Sequence, residues 1–163
     1  MTTSTETART SGGKLPPRFV IRAAWVIHRA IHRISGGRIG LKPASEKAWG
    51  MMRLTTIGRK TGRERVAILG YYEDGPNLVT MAMNGWGEPE PAWWLNLQAR
   101  PDTTVELHDR TLAVHGRAAT PEERPRLWER WGRYDGEDQL AALASRRPNE
   151  TAVVILEPVD RDR

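Results

Sequence analysis

With 163 residues, 39% of them hydrophobic and 28% charged, the chain has the length and composition of a single soluble globular domain. It has no cysteine, which excludes disulfides, thiolate nucleophiles and Cys-ligated metals and fits a cytoplasmic setting, and its four histidines form no zinc-binding pattern, so no metal is expected. Charge is unevenly placed: residues 1–63 carry 13 Lys/Arg against 2 Asp/Glu, residues 64–163 carry 12 against 18, and a first third this basic calls for an anionic cofactor, a membrane surface or nucleic acid.

Residues 1–17 are rich in Thr, Ser and Gly and poor in apolar side chains, the composition of a disordered segment without a secretory pattern. The double proline Pro16-Pro17 then opens a helix over 18–34. At roughly 100° per residue its alanines and aliphatics share one face, and Arg18, Arg22, Arg29 and Arg33 line the other together with Trp25. Repeated charges exclude a membrane span. Such a helix can dock on its own domain, lie peripherally on the anionic inner face of a membrane, or close Trp25 over a ligand. Residues 18–163 are read as one domain.

From residue 51 onward short strands dominate. Residues 53–57, 65–72, 77–83, 103–107, 110–118 and 151–156 read as β, with hairpin turns at Asp74-Gly75 and at His108-Asp109. Short helices are expected at 91–99, 120–133 and 137–145. In the second of these Thr120 and Glu123 form a capping box, and Pro125 should distort the first turn. About six antiparallel strands with short helices between them point to a mainly-β (α+β) fold, a small split β-barrel of Greek-key type.

Two stretches carry chemistry. In LTTIGRKTGRER, residues 54–65, a strand runs into a turn bracketed by Gly58 and Gly62. Glycines can aim consecutive N–H groups at one anion, and Arg59, Lys60, Arg63 and Arg65 add charge while Thr61 adds a hydroxyl. The alternative is a solvated basic hairpin turn. Neither a Walker loop nor a Rossmann fingerprint is present. In MAMNGWGEPEPAWWLN, residues 81–96, a strand ends in Asn84-Gly85-Trp86-Gly87 before a helix bearing Trp93, Trp94 and Asn96. Freed backbone beside aromatic walls suits a flat heterocycle, and Asn96 could give it both a donor and an acceptor. Trp94 and Leu97 fit simple packing better than Trp93 and Asn96 do.

These stretches, a D-G turn, residues 79–87, PAWWLNLQARP, the T-x-E-E-R-x-R-L-W helix and the closing VVILEP together resemble the deazaflavin-dependent nitroreductase family over residues 36–158. The resemblance implies a split barrel that binds reduced coenzyme F420 and passes hydride to a quinone, an activated alkene or a nitro compound. It implies that Arg59, Lys60, Thr61, Gly62 and Arg65 bind the cofactor's phosphate and acidic tail. Met81, Ala82, Met83 and Asn84 would line the ring, with Trp93 and Asn96 beside it. Trp25, Met83, Trp86 and Tyr134 would shape the acceptor pocket, Tyr134 and then Tyr71 are the candidate proton donors, and a monomer is implied.

The chain departs from the family pattern in three places. Met83 stands where nitro-reducing members carry a serine, only Tyr134 remains of several tyrosines, and Asn149-Glu150-Thr151 replaces an Ile-Pro pair. The first two favour a quinone or activated alkene over a nitro compound. Competing readings keep the barrel but exchange the ligand for FMN or haem, or make the chain a basic membrane- or nucleic-acid-binding module. No nucleic-acid motif is present, and no nucleic acid is expected.

Overall fold

Alternation of apolar and polar residues decides which way each strand faces. The structure, a computed structural model, describes residues 40–87 and 89–159; the segment 1–17 and the helix read at 18–34, with Trp25, lie outside the described residues. Strands β1 (Gly50–Ile57), β2 (Glu64–Asp74), β3 (Asn77–Met81), β4 (Asp102–Glu106), β5 (Thr111–Ala118) and β6 (Val153–Pro158) close into an antiparallel barrel in the order β1-β2-β3-β6-β5-β4. Pairing of β1 with β4, Leu54 opposite Val105, shuts it. Helix α1 (Ala92–Ala99) leads from β3 to β4, and α2 (Arg124–Asp135) and α3 (Glu137–Ala144) fill the connection from β5 to β6. Because β6 enters between β3 and β5, the sheet is a Greek key rather than a meander.

Several boundaries shift from those expected, each for a local reason. Strand β1 begins at Gly50 rather than 53, because the Met51 N–H finds the Lys42 carbonyl at 2.9 Å. Strand β3 stops at Met81 rather than 83, because the Met83 N–H turns back to the Met81 carbonyl at 2.8 Å. Strand β6 runs through Pro158, which takes the last ladder position, where a missing N–H is tolerated. The Thr120–Glu123 capping box is present: the Thr120 N–H donates to Glu123 Oε2 at 2.8 Å and the Glu123 N–H to Thr120 Oγ1 at 3.3 Å. The regular helix nevertheless starts only at Arg124, beside Pro125, the distortion that proline dictates.

Period two sorts the apolar residues into two cores. Met52, Leu54, Tyr71, Leu78, Val105, Val114, Val154 and Leu156 point into the barrel, where Trp93, Trp94 and Leu97 of α1 meet them. Their neighbours Tyr72, Val79, Val153 and Ile155 point outward and pack under Leu127, Trp131 and Leu140 of α2 and α3. Gly116 makes the seat for α1: a Cβ there would stand 2.5 Å from Leu97 Cδ2.

Ion pairs pin α2 to the barrel. Arg126 grips both oxygens of Asp74 at 2.8 Å, and Arg130 adds a contact at 3.2 Å. Arg117 of β5 donates to both Glu123 oxygens, at 2.7 and 2.8 Å. The Arg126 guanidinium holds the Asp74 carboxyl below its ordinary range. Arg117, and then the Thr120 N–H, bring Glu123 down to about 2 from an ordinary 4.5. A carboxyl lowered by folding stabilises the fold while ionised, so its contribution is whole above the ordinary value and drains as pH falls toward the folded one. The expected result is a Tm that declines between pH 4.5 and 2, read by circular dichroism. In Arg117→Ala, compared with the parent, that decline should be shallower.

Candidate active site

The β1–β2 ladder ends at Ile57 opposite Glu64, and the chain reverses between them. The N–H groups of Gly62 and Thr61 donate to the Gly58 carbonyl at 2.7 and 3.2 Å, and the Gly58 N–H donates to the Arg63 carbonyl at 2.8 Å. The two glycines are required for different reasons. Gly62 sits in left-handed backbone at φ +66°, whereas a Cβ on Gly58 would come within 2.9 Å of Thr61 Oγ1.

Arg59, Lys60, Arg63 and Arg65 stand exposed on this turn, and among the described residues none is in an ion pair. By contrast Arg53, Arg110, Arg117, Arg124, Arg126, Arg130, Arg133 and Arg147 each hold a carboxylate. Lys47, Arg100 and Arg146 are likewise exposed and outside any ion pair among the described residues, but they are scattered, whereas four such cations fall within residues 59–65 at this one corner, interrupted by the exposed Glu64.

That corner is tied to α1 by one side chain. Asn96, buried in the structure, accepts the Arg59 N–H on Oδ1 at 3.1 Å and donates from Nδ2 to Thr56 Oγ1 at 3.3 Å. The amide expected to read a ligand's edge thus fixes the cationic turn instead. Trp93 differs from expectation as well. It is 8% exposed, beside Trp94 at 5%, with the two rings edge-on at 6.2 Å. Both belong to the barrel core, because a helix of eight residues seated against the barrel interior has adjacent faces covered.

Beyond β3 the chain forms a loop over 82–90. Ala82 is fully buried, its N–H donating to the Ala152 carbonyl at 2.9 Å and its carbonyl accepting from Arg147 at 2.8 Å. Met81 is equally part of the core. Of the four residues expected at the ring, Met83 and Asn84 alone remain accessible. Next comes a tight turn closed by the Gly87 N–H on the Asn84 carbonyl at 3.0 Å, with Gly85 at φ +56° and Trp86 at φ +60°. The N–H groups of Asn84, Gly85 and Trp86 have no hydrogen-bond partner among the described residues, so this turn presents free donors.

Met83, Trp86 and Tyr134, the pocket residues expected within the described region, each pack against the outer core. The Tyr134 hydroxyl donates to the Ser45 carbonyl at 3.2 Å, and its ring lies 6.0 Å from that of Tyr72. Tyr71 is corrected. It lies inside the barrel, 1% exposed, where burial pushes its hydroxyl up, and so faces away from the outer core on which Tyr134 packs. Sequence reasoning missed Thr56, Ser45 and the buried pair Arg147–Glu90, since none of them falls in a recognisable local pattern.

A closed six-stranded barrel with a cationic corner on its β1–β2 turn defines a small split-barrel protein. A family model described as F420H(2)-dependent quinone reductase matches residues 25–158, and the chain belongs to that family. An F420H(2)-dependent quinone reductase of Mycobacterium tuberculosis is 31% identical over 106 residues, covering 63% of this chain and 69% of the relative. Among solved structures, an F420-H2 dependent reductase, FDR-A, superposes with a TM-score of 0.58 at 24% identity, covering 72% of this chain and all of that one. Another, a domain-swapped dimer, gives 0.59 at 22%, over 83% of this chain and 99% of the other. The chain is an F420-dependent oxidoreductase, as the resemblance implied.

Proposed function

We propose that the chain reduces a quinone, with the anionic tail of coenzyme F420 held at the 58–65 corner. The observation that carries this is the set of exposed cations without ion pairs, fixed in place by Asn96. Their chemistry fits the cofactor: Arg59, Lys60 and Arg65 offer two-point or point-charge contacts to phosphate and carboxylate, the Thr61 hydroxyl adds a donor, and Gly62 shapes the turn that carries them. When bound, the reduced deazaflavin supplies the hydride that turns a quinone into its quinol once a proton is added.

The remaining work falls to the protein. Met83 and Asn84 would meet the ring, with the free N–H groups of the 84–86 turn available to ring carbonyls. Met83, Trp86 and Tyr134 would set what stacks upon it, and Tyr134 is the candidate to hold or pass the proton. Trp93 would support the ring's surroundings from within the core.

A monomer is proposed, because all six strands pair within the one chain to close the barrel. Among the described residues no helix is long and apolar enough to cross a membrane. Peripheral contact with an anionic inner surface rests on the arginine stripe of 18–34 alone.

The test is the decay of reduced F420 absorbance with a quinone, an activated alkene and a nitroaromatic offered in turn. The quinone should be consumed fastest. Oxidation of the cofactor by none of the three, alongside tight binding of FMN in a parallel fluorescence titration, would sink the proposal.

A further inference from the structure

One buried guanidinium holds both ends of the 82–90 loop. Arg147 lies on the connection from α3 to β6, and its side chain is almost wholly removed from solvent. Its Nη1 donates to the Ala82 carbonyl and to Thr151 Oγ1, each at 2.8 Å, and its Nη2 donates to Glu90 Oε1 at 2.9 Å. Ala82 is where the chain leaves β3, Glu90 is where it approaches α1, and Thr151 is where it enters β6. Three separate segments therefore converge on one side chain.

Stability alone does not account for this arrangement. Arg147 Nε and Glu90 Oε2 are buried without a hydrogen-bond partner among the described residues, beside a cavity of about 320 Å³ lined by Pro89, Glu90, Leu95, Arg147, Pro148 and Asn149. Apolar side chains of similar size would fill such a place without unpartnered polar atoms. What an apolar residue lacks is a fork of donors that sets the distance between two ends of a loop. Within that loop Trp86 adopts left-handed backbone, a conformation bulky residues keep only where the surroundings impose it. Inside the loop itself, the 84–87 turn and a bond from Asn84 Nδ2 to the Pro89 carbonyl at 3.3 Å complete the restraint.

We propose that Arg147, with Glu90, is a positioning residue. By clamping Ala82 and Glu90 it would hold Met83, the free N–H groups of 84–86 and Trp86 in the geometry that presents the acceptor to the bound cofactor. The proposal rests on the functional reading above. Its role is distinct from that of the cationic corner, which governs affinity for the anionic tail.

The test compares Arg147→Lys, Arg147→Met, Glu90→Gln and Glu90→Ala with the parent protein by two readouts. The first is hydrogen–deuterium exchange without cofactor. The hydrogen-bonded amides of Ala82, Met83 and Gly87 should exchange at least about tenfold faster in Arg147→Lys, Arg147→Met and Glu90→Ala, while those of β1 stay unchanged. The second is steady-state kinetics with F420H2 and a quinone. In the same three variants kcat should fall about tenfold or more, with the F420 dissociation constant within about threefold of the parent. Glu90→Gln, which keeps an oxygen acceptor for Nη2, should recover most of both losses.

Exchange at Ala82, Met83 and Gly87 and kcat both unchanged in folded Arg147→Lys would overturn the proposal. Glu90 is partly exposed, so if the Arg147 variants do not fold, Glu90→Ala decides on the same criteria. A parent protein that does not oxidise F420H2 would defeat the functional reading and the positioning role together. The exchange data would then show separately whether the clamp orders the loop.

Discussion

Lys60→Ala and Arg65→Ala should each weaken binding of coenzyme F420 by about 1–3 kcal/mol for the lost charged contact, roughly a 5- to 150-fold rise in dissociation constant. Both side chains are exposed, and neither is in an ion pair among the described residues, so nothing inside the protein depends on them. Removing them should leave Tm essentially unchanged, since surface substitutions away from caps, cores and buried pairs move stability by about 0.5 kcal/mol or less. Salt gives an independent check. The parent's affinity should fall as ionic strength rises and screening shortens to about 8 Å at 0.15 M, and the double variant should respond less. Tryptophan fluorescence titration measures all of these. Unchanged affinity in both single variants would show that the corner does not hold the cofactor.

Trp94→Ala should do the opposite, costing about 3–5 kcal/mol of stability. It is 5% exposed and belongs to the inner core with Leu54, Leu78, Val105 and Leu156. Large-to-small changes in such a place lose the transfer free energy of the side chain and leave a cavity that the strands relax around only in part. At about 2–4 °C per kcal/mol for a domain of this size, Tm should drop by roughly 10 °C or more, read by thermal circular dichroism. Because α1 also carries Asn96, cofactor affinity should fall as the Arg59 turn loosens. A Tm within about 2 °C of the parent would mean that α1 is not a structural part of the barrel core.

The two experiments probe features of different legibility. The cationic corner was readable because its meaning lies in residue types at fixed spacing: Gly58 and Gly62 for backbone geometry, arginines and a lysine for charge. The strands were readable because period two is imposed by the pleat, and Tyr71 and Tyr72 fall on opposite faces as it requires. Roles that depend on what lies across the fold were not. On sequence Trp94 reads as packing and Trp93 as standing beside a ligand, and the barrel buried both. Asn96 carries donors and acceptors in any sequence, yet only the approach of the β1–β2 turn determined that Arg59 and Thr56 would take them. From sequence, Tyr134 and then Tyr71 are the candidate proton donors, and sequence does not say which side of the sheet each takes. The barrel wall separates them.

What the amino-acid sequence determined by itself was local: strand alternation, the Thr120–Glu123 cap, the glycine-framed turn and the charge it carries. Each depends on residues within a few positions of one another, where backbone sterics and side-chain chemistry act without help from the rest of the chain. The tertiary structure decided which cations stayed free and which were consumed by carboxylates, and it brought Ala82, Glu90, Arg147 and Thr151 to one point. Those outcomes follow from barrel closure, which sets distances between segments far apart in sequence, and no local pattern encodes such distances.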